Sequence, residues 1–177
     1  MNAIPDHSAL MSTSVDWVAI YADVNTWRGE CLHHFTAVEY AVTNTLLSLA
    51  KVSPDPPEIG LRHLISQRFE DLAKAIGPDG RFGDLGKKSA AKALSDYRER
   101  HEAFRIHLCH GLVSVAVMQN GQWTLVLRTL SIKSRQAQEG EIVIDKAAAT
   151  SRLAQLRRDR KRLVDLLGQV RKAAEKT

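Results

Sequence analysis

The stretch from Phe104 to Gly111 carries the densest group of side chains that could do chemistry in this chain. Arg105, His107 and His110 place one guanidinium and two imidazoles within six residues. A guanidinium binds phosphate oxygens through its charge and its planar fork of donors, and an imidazole gives and takes a proton near neutral pH. This combination predicts chemistry on a phosphodiester, and RNA is the first substrate to consider.

The R-x4-H spacing of Arg105 and His110 carries little weight alone, because Arg28 and His33 repeat it. Only the first pair lies where a helix is predicted to end, at Gly111, and a strand to begin. On a regular helix, residues five positions apart are separated by about 140°. We therefore expect Arg105 and His110 to meet only if the helix distorts near Gly111, or if a ligand or a two-fold axis brings them together.

Apolar residues recur every three or four positions in four stretches, which predicts four helices. The first spans about Val24–Leu49 and ends before the prolines of residues 53–57, which cannot continue a helix. The others are predicted at about Leu61–Ile76, Lys87–His110 and Lys146–Ala174.

The period changes after the third predicted helix. Leu112–Val117 and Trp123–Leu127 read as short strands, and Asn120-Gly121 between them is the strongest hairpin-turn dipeptide. Residues 141–144 offer a third strand as an alternative. The sequence thus predicts a mainly α fold: a bundle of four main helices with a small inserted antiparallel β-hairpin, within about residues 112–144, before the last helix.

Length and composition are those of a single-domain protein without disulfides or a membrane span. A chain of 177 residues fits one domain, predicted over residues 15–177 after a flexible tail over residues 1–14. Two cysteines are too few for a disulfide framework, and no run of 18 apolar residues predicts a membrane span. Without a secretory signal, the expected location is cytoplasmic. The net charge of +5 permits a polyanionic partner.

The segment from Arg105 to Gly111 resembles a stretch, Arg-Asn-…-Ala-His-Gly, that is frequent in the HEPN domain family. That family consists of helical bundles with R-x4–6-H near the end of the third long helix. The resemblance covers about Val15–Ala174 by architecture but seven residues by motif. Ile106 departs from it, because the family often has a polar residue there. The resemblance implies a HEPN-like helical bundle that acts as a homodimer, with its two motifs facing each other across the interface.

For function, the resemblance implies a metal-independent endoribonuclease of toxin or defence type, without a cofactor. The 2′-hydroxyl of RNA would attack the adjacent phosphorus and leave a 2′,3′-cyclic phosphate. His110 would be the general acid or base, Arg105 would neutralise the phosphate oxygens, and His107 would be a second proton-transfer or RNA-orienting group. In the alternative interpretation, Arg105 is a solvated helix residue and His110 a cation favoured by the helix dipole.

Predicted substrate contacts come from two other helices. HEPN-like sites often include a polar residue of the first helix, so Glu39 or His34 is expected to face the motif; a plain surface carboxylate is the alternative for Glu39. The last predicted helix is rich in arginine and lysine, and Arg157, Arg158 and Arg160 could follow a nucleic-acid backbone. A solvated face of mixed charge is the alternative for these arginines.

Two further functions remain open at this level. Other HEPN-like proteins are non-catalytic modules that bind a nucleotide, RNA or a protein partner. A plain dimeric scaffold is the third possibility, with its basic last helix docked on an acidic protein such as an antitoxin. A zinc site is not predicted, because the histidines and cysteines lack the paired spacings of structural zinc sites.

Overall fold

A computed structural model describes residues 15–52, 62–133 and 135–176 of the chain, without the side chains of residues 86, 87 and 133. The chain order of the described elements begins with three helices: α1 (Trp17–Lys51), α2 (Ile65–Ile76) and α3 (Gly83–His110). Three strands and a last helix follow: β1 (Leu112–Val117), β2 (Trp123–Lys133), β3 (Gln136–Asp145) and α4 (Lys146–Ala174).

Local side chains set the ends of the long helices. The Asp16 carboxylate accepts from the Ala19 amide at 3.0 Å and caps α1, and the Asp145 carboxylate accepts from the Ala148 amide at 2.7 Å and caps α4. Gly111 ends α3, and its amide donates to the His107 carbonyl at 2.8 Å. A Cβ at position 111 would lie 2.3 Å from that carbonyl oxygen, so only glycine fits there.

The three long helices pack around one apolar core. Trp27 of α1 donates from Nε1 to the Ala149 carbonyl of α4 at 2.9 Å. Further along both helices, Arg171 donates to the Thr45 hydroxyl at 2.9 Å. Because residue numbers rise together across these contacts, α1 and α4 run parallel. The largest fully buried side chains include Leu46, Leu72, Leu94, Phe104, Leu108, Leu156 and Leu163.

The strands form one antiparallel sheet in the order β1-β2-β3. Leu125, Leu127 and Ile144 point into the core. Strand β1 pairs with β2 only as far as Leu112 opposite Arg128. Beyond that point, residues 129–133 pair with residues 136–140 alone, as a two-stranded ribbon. The sheet thus has a packed half against the helices and a half that extends into solvent.

The predicted fold class, four main helices with a small inserted hairpin, is wrong. Helix accounts for 68% of the described residues, and a three-stranded antiparallel sheet follows the penultimate helix and precedes the last. The short-strand expectation failed because β2 continues for 11 residues. Its second half and the start of β3 expose both faces, so no alternation of buried and exposed residues marks them.

Several boundaries also differ from the expectation. The third helix begins at Gly83, four residues before the predicted start at Lys87. Glycine is a poor helix former, so the glycines at positions 83 and 86 hide the first turn from the sequence pattern. The third strand offered as an alternative is present and starts at Gln136. The first helix ends at Lys51. The predicted tail over residues 1–14, the prolines of residues 53–57 and Leu61 lie outside the described residues. No helix within the described ranges is long and apolar enough to cross a membrane.

Candidate functional site

Arg105 lies on α3 and is held by a carboxylate of α1. Its Nε donates to Glu39 Oε1 at 2.5 Å, and the two side chains are 22% and 29% exposed. The terminal nitrogens of Arg105 make no hydrogen bond to the described part of the chain. Glu39 therefore faces Arg105, as expected, and leaves part of the guanidinium open to a ligand.

His110 is exposed in the last turn of α3 and has no hydrogen-bond partner among the described residues. The helix stays regular through His110, so the distortion that would bring His110 to Arg105 does not occur. About 140° of helix rotation separates the two side chains. One copy of the chain does not bring the predicted catalytic pair together.

His107 contacts the sheet rather than open solvent. Its Nδ1 donates to the Ala103 carbonyl at 2.9 Å, which leaves the Nε2 of a neutral ring as an acceptor. That Nε2 lies against β3, where a Cβ at Gly140 would be only 2.8 Å away. The predicted second proton-transfer group is thus packed into the junction of α3 and β3.

Four basic side chains cluster where α1 and α4 run side by side, and we call His33, His34, Arg157 and Arg160 the α1–α4 basic cluster. His34 is 9% exposed, and its Nδ1 has no partner. The Nε of Arg160 is also buried and unpartnered. Arg157 is paired with Glu30 across the two helices.

The pKa of His34 is lowered by its surroundings in this cluster. Burial lowers the pKa of His34 most, and the charges of Arg160, His33 and Arg157 lower it further. Glu30 acts in the opposite direction and is outweighed. Arg157 and Arg160 thus place two positive charges beside the negative charge of Glu30, which is an arrangement that attracts anions.

Arg158 does not join this cluster. It is exposed, and its Nη2 donates to Gln155 Oε1 of the same helix at 2.6 Å. Of the predicted substrate contacts, the structure thus gathers His34, Arg157 and Arg160 in one place. It sets Glu39 beside Arg105 and leaves Arg158 apart.

A buried polar pair between α3 and α4 was not predicted from the sequence. His101 is 3% exposed, and its Nε2 lies 2.9 Å from Asp159 Oδ2. Burial lowers the pKa of His101, while the hydrogen bond with Asp159 raises it by less. Burial alone would raise the pKa of Asp159, but hydrogen bonds from Gln155, His101 and Arg100 lower it overall. The sequence does contain a signal for this pair, because His101 interrupts an otherwise apolar face of the third helix.

The cysteines show no ligand-binding arrangement. Cys31 is buried in the core, and burial raises the pKa of its thiol to about 12. The described residues contain no group of three or more histidine, cysteine, aspartate or glutamate side chains placed to hold a metal ion.

Comparison with known proteins found no matching family model, no matching curated protein and no matching solved structure.

Proposed function

We propose that this protein is a module that binds the phosphates of RNA or of a nucleotide at the α1–α4 basic cluster. The observation that carries the proposal is the pair of buried, unpartnered nitrogens within it, His34 Nδ1 and Arg160 Nε. Buried polar groups are nearly always hydrogen-bonded in native proteins. A phosphate oxygen supplies the acceptor that the Arg160 N–H lacks, after a side-chain rotation, and its charge offsets the crowded cations.

Substitutions in the cluster test this proposal by equilibrium binding of a short single-stranded RNA. Arg160→Gln should weaken binding by about tenfold, because a charged hydrogen bond is lost. Arg128→Gln is the matched control: Arg128 is 59% exposed and lies on the sheet, where it is paired with Glu141. Equal losses in both variants would indicate general charge attraction and would contradict a site at the cluster.

A second candidate function is metal-independent endoribonuclease activity in a homodimer. It is favoured by the open His110 imidazole and by the Arg105 guanidinium that Glu39 orients. Because one α3 keeps these groups apart, this proposal places Arg105 of one copy opposite His110 of a second copy across a two-fold axis. The 2′-hydroxyl would displace the 5′-oxygen and leave a 2′,3′-cyclic phosphate. A cytoplasmic location is part of both proposals.

Mixed dimers test the second candidate in the presence of EDTA. Arg105→Ala and His110→Ala should each abolish RNA cleavage. When the two variants are mixed and reassembled, half of the dimers pair one of each and hold one intact site, so about a quarter of wild-type activity returns. Cleavage that persists in His110→Ala would remove this histidine from the mechanism. A wild-type chain that binds RNA without cleaving it leaves the binding module as the function.

A further inference from the structure

The outer face of the sheet, turned away from the helices, is an apolar surface that the described part of the chain leaves uncovered. Leu125, Leu127 and Ile144 point into the core, so the residues that alternate with them along the strands point outward. Four of these outward side chains are large, apolar and 60–81% exposed: Leu112, Leu130, Ile132 and Val143. Contiguous apolar patches on a protein surface usually mark an interaction site.

The ribbon of residues 129–133 and 136–140 reverses the usual distribution of side chains on a sheet. Its inner face carries hydroxyl groups, since Thr129 and Ser131 donate to carbonyls of β3. Its outer face carries Leu130 and Ile132, which are 72% and 81% exposed. Apolar side chains of this size gain free energy when they leave water. The ribbon is therefore stabilised by a partner that covers its outer face.

The cross-strand pairs of the outer face indicate which partner fits it. Two of these pairs are apolar and one joins opposite charges: Val126 with Val143, Ile132 with Ala137, and Arg128 with Glu141. A two-fold axis that runs along the strands, midway between β2 and β3, exchanges the two members of every pair. It sets Arg128 over Glu141 of a second copy, and each apolar member over an apolar one. The pair of Leu130 with Glu139 departs from this rule, because exchange sets a carboxylate over a leucine.

We propose that the outer face is the interface of a homodimer, in which two sheets pack face to face across this two-fold axis. The two pairs of Arg128 with Glu141 meet at the centre with their charges alternating, and apolar pairs lie on both sides of them along the strands. Sheets packed in this way lie about 10 Å apart. The interface goes beyond the phosphate contacts of the α1–α4 basic cluster, because it shares no residue with that cluster.

This two-fold axis differs from the axis of the second candidate function. Helix α3 lies against the inner face of the sheet, where His107 packs at Gly140. The outer face therefore points away from α3, and the sheet dimer does not bring Arg105 of one copy to His110 of the other.

The dimensions of the outer face set the expected affinity. Residues 124–132 of β2, at about 3.4 Å each, and neighbouring strands about 4.8 Å away give a face of roughly 30 Å by 10–15 Å. An interface of this size is at the low end for specific complexes, so we expect a dissociation constant on the order of 10 µM.

Sedimentation equilibrium of the full chain over a range of concentrations around that value measures the dimer. Ile132→Ser should weaken it by at least about tenfold, because the side chain leaves the interface in both copies. Val18→Ser is the matched control: Val18 is 82% exposed but lies on α1, so this variant should dimerise as wild type does. Glu139→Gln should tighten the dimer, because it removes the charge that the two-fold axis sets over Leu130.

Two charge variants test the exchange of Arg128 with Glu141 directly. Arg128→Glu sets carboxylates over carboxylates in its own dimer, and Glu141→Arg sets guanidiniums over guanidiniums, so each variant alone should stay monomeric. Mixed in equal amounts, the two should form a heterodimer, because every carboxylate then lies over a guanidinium. Each substitution changes the net charge of +5 by two, so both chains remain positive and general attraction does not explain their association. Lys161→Glu, at an exposed pair with Asp165 on α4, is the control and should dimerise with itself as wild type does.

Three results would overturn the sheet dimer. The first is a chain that remains monomeric at concentrations far above the expected dissociation constant. The second is a dimer that Ile132→Ser does not weaken, or charge variants that do not associate when mixed, since either places the contact elsewhere. The third is a series of assemblies that grows with concentration, which indicates open addition of strands at the sheet edges rather than a closed pair.

Failure of the dimer and failure of RNA binding are distinguishable. In the Ile132→Ser background the chain is a monomer, so the comparison of Arg160→Gln with its Arg128→Gln control is free of any effect of dimerisation. Loss of the RNA proposal leaves the sedimentation results unchanged, because the α1–α4 basic cluster lies outside the interface.

Discussion

At the scale of single residues, His101 is a buried polar side chain that links two helices. It joins α3 to α4 through Asp159 at 2.9 Å and contacts the Tyr97 ring within its own helix. Arg100 and Arg152 face the same region and lower the pKa of His101 further, after burial. A neutral His101 is therefore the form that the folded protein favours.

This preference makes stability depend on pH. The unfolded chain binds a proton at His101 below the ordinary pKa of 6.5, whereas the folded chain, with a lowered pKa, does not. The contribution of neutral His101 to the free energy of unfolding is thus fully present above about pH 6.5 and is lost as the pH falls below that value. His34 acts in the same direction.

We predict that the free energy of unfolding in urea falls between about pH 7.5 and pH 5.5, with His101 contributing at most about 1.4 kcal/mol per pH unit. His101→Asn should show a shallower decrease, because it has no proton to bind in the unfolded state. If wild type and variant lost stability in parallel, His101 would not be the group that titrates.

At the scale of elements, the junction of α3 with β3 depends on a glycine. A Cβ at Gly140 would lie 2.7 Å from Thr129 Oγ1 and 2.8 Å from His107 Nε2. The His107 ring is tied by its hydrogen bond to the Ala103 carbonyl, so it cannot easily move aside. The strand can approach the helix this closely only because position 140 has no side chain.

Gly140→Ala should therefore lower the free energy of unfolding by about 1–3 kcal/mol, the usual cost of overpacking. Gly29→Ala is the matched control, since Gly29 is an exposed residue of α1 and a Cβ there meets nothing within 4 Å. The free energy of unfolding of Gly29→Ala should rise by about 1 kcal/mol, because alanine has a higher helix propensity than glycine. Urea unfolding of both proteins measures the difference, and equal stabilities would contradict close packing at the junction.

The helices were predictable wherever burial repeats along one face. The apolar residues that recur every three or four positions between Val24 and Leu49 are all buried: Val24, Trp27, Cys31, Phe35, Val38, Val42, Leu46 and Leu49. The ribbon of β2 and β3 was not predictable from pattern, because Leu130 and Ile132 are 72% and 81% exposed. Strand pairing there depends on backbone hydrogen bonds, which the side-chain pattern does not record.

The site was predictable only in part. The contact of Glu39 with Arg105 was expected from the family resemblance and is present. The pair of His101 and Asp159 joins residues 58 positions apart on two helices, and only tertiary packing brings them together. The expected meeting of Arg105 with His110 does not occur within one chain, because α3 stays regular to its end.

At the scale of the whole molecule, the parallel course of α1 and α4 concentrates positive charge. Glu30 pairs with Arg157, and His34 feels the charge of Arg160 most strongly among its neighbours. These side chains contribute to the net charge of +5 of the chain. The salt dependence of RNA binding reports how many phosphates such a surface neutralises.

The most direct test of phosphate recognition by the α1–α4 basic cluster is the affinity for a short single-stranded RNA over a range of salt concentrations. For single strands, the slope of log K against log salt changes by about 0.7 for each phosphate contact. We predict a slope shallower by about that amount in Arg160→Gln and an unchanged slope in the Arg128→Gln control. A slope in Arg160→Gln identical to that of wild type would contradict phosphate binding at the cluster.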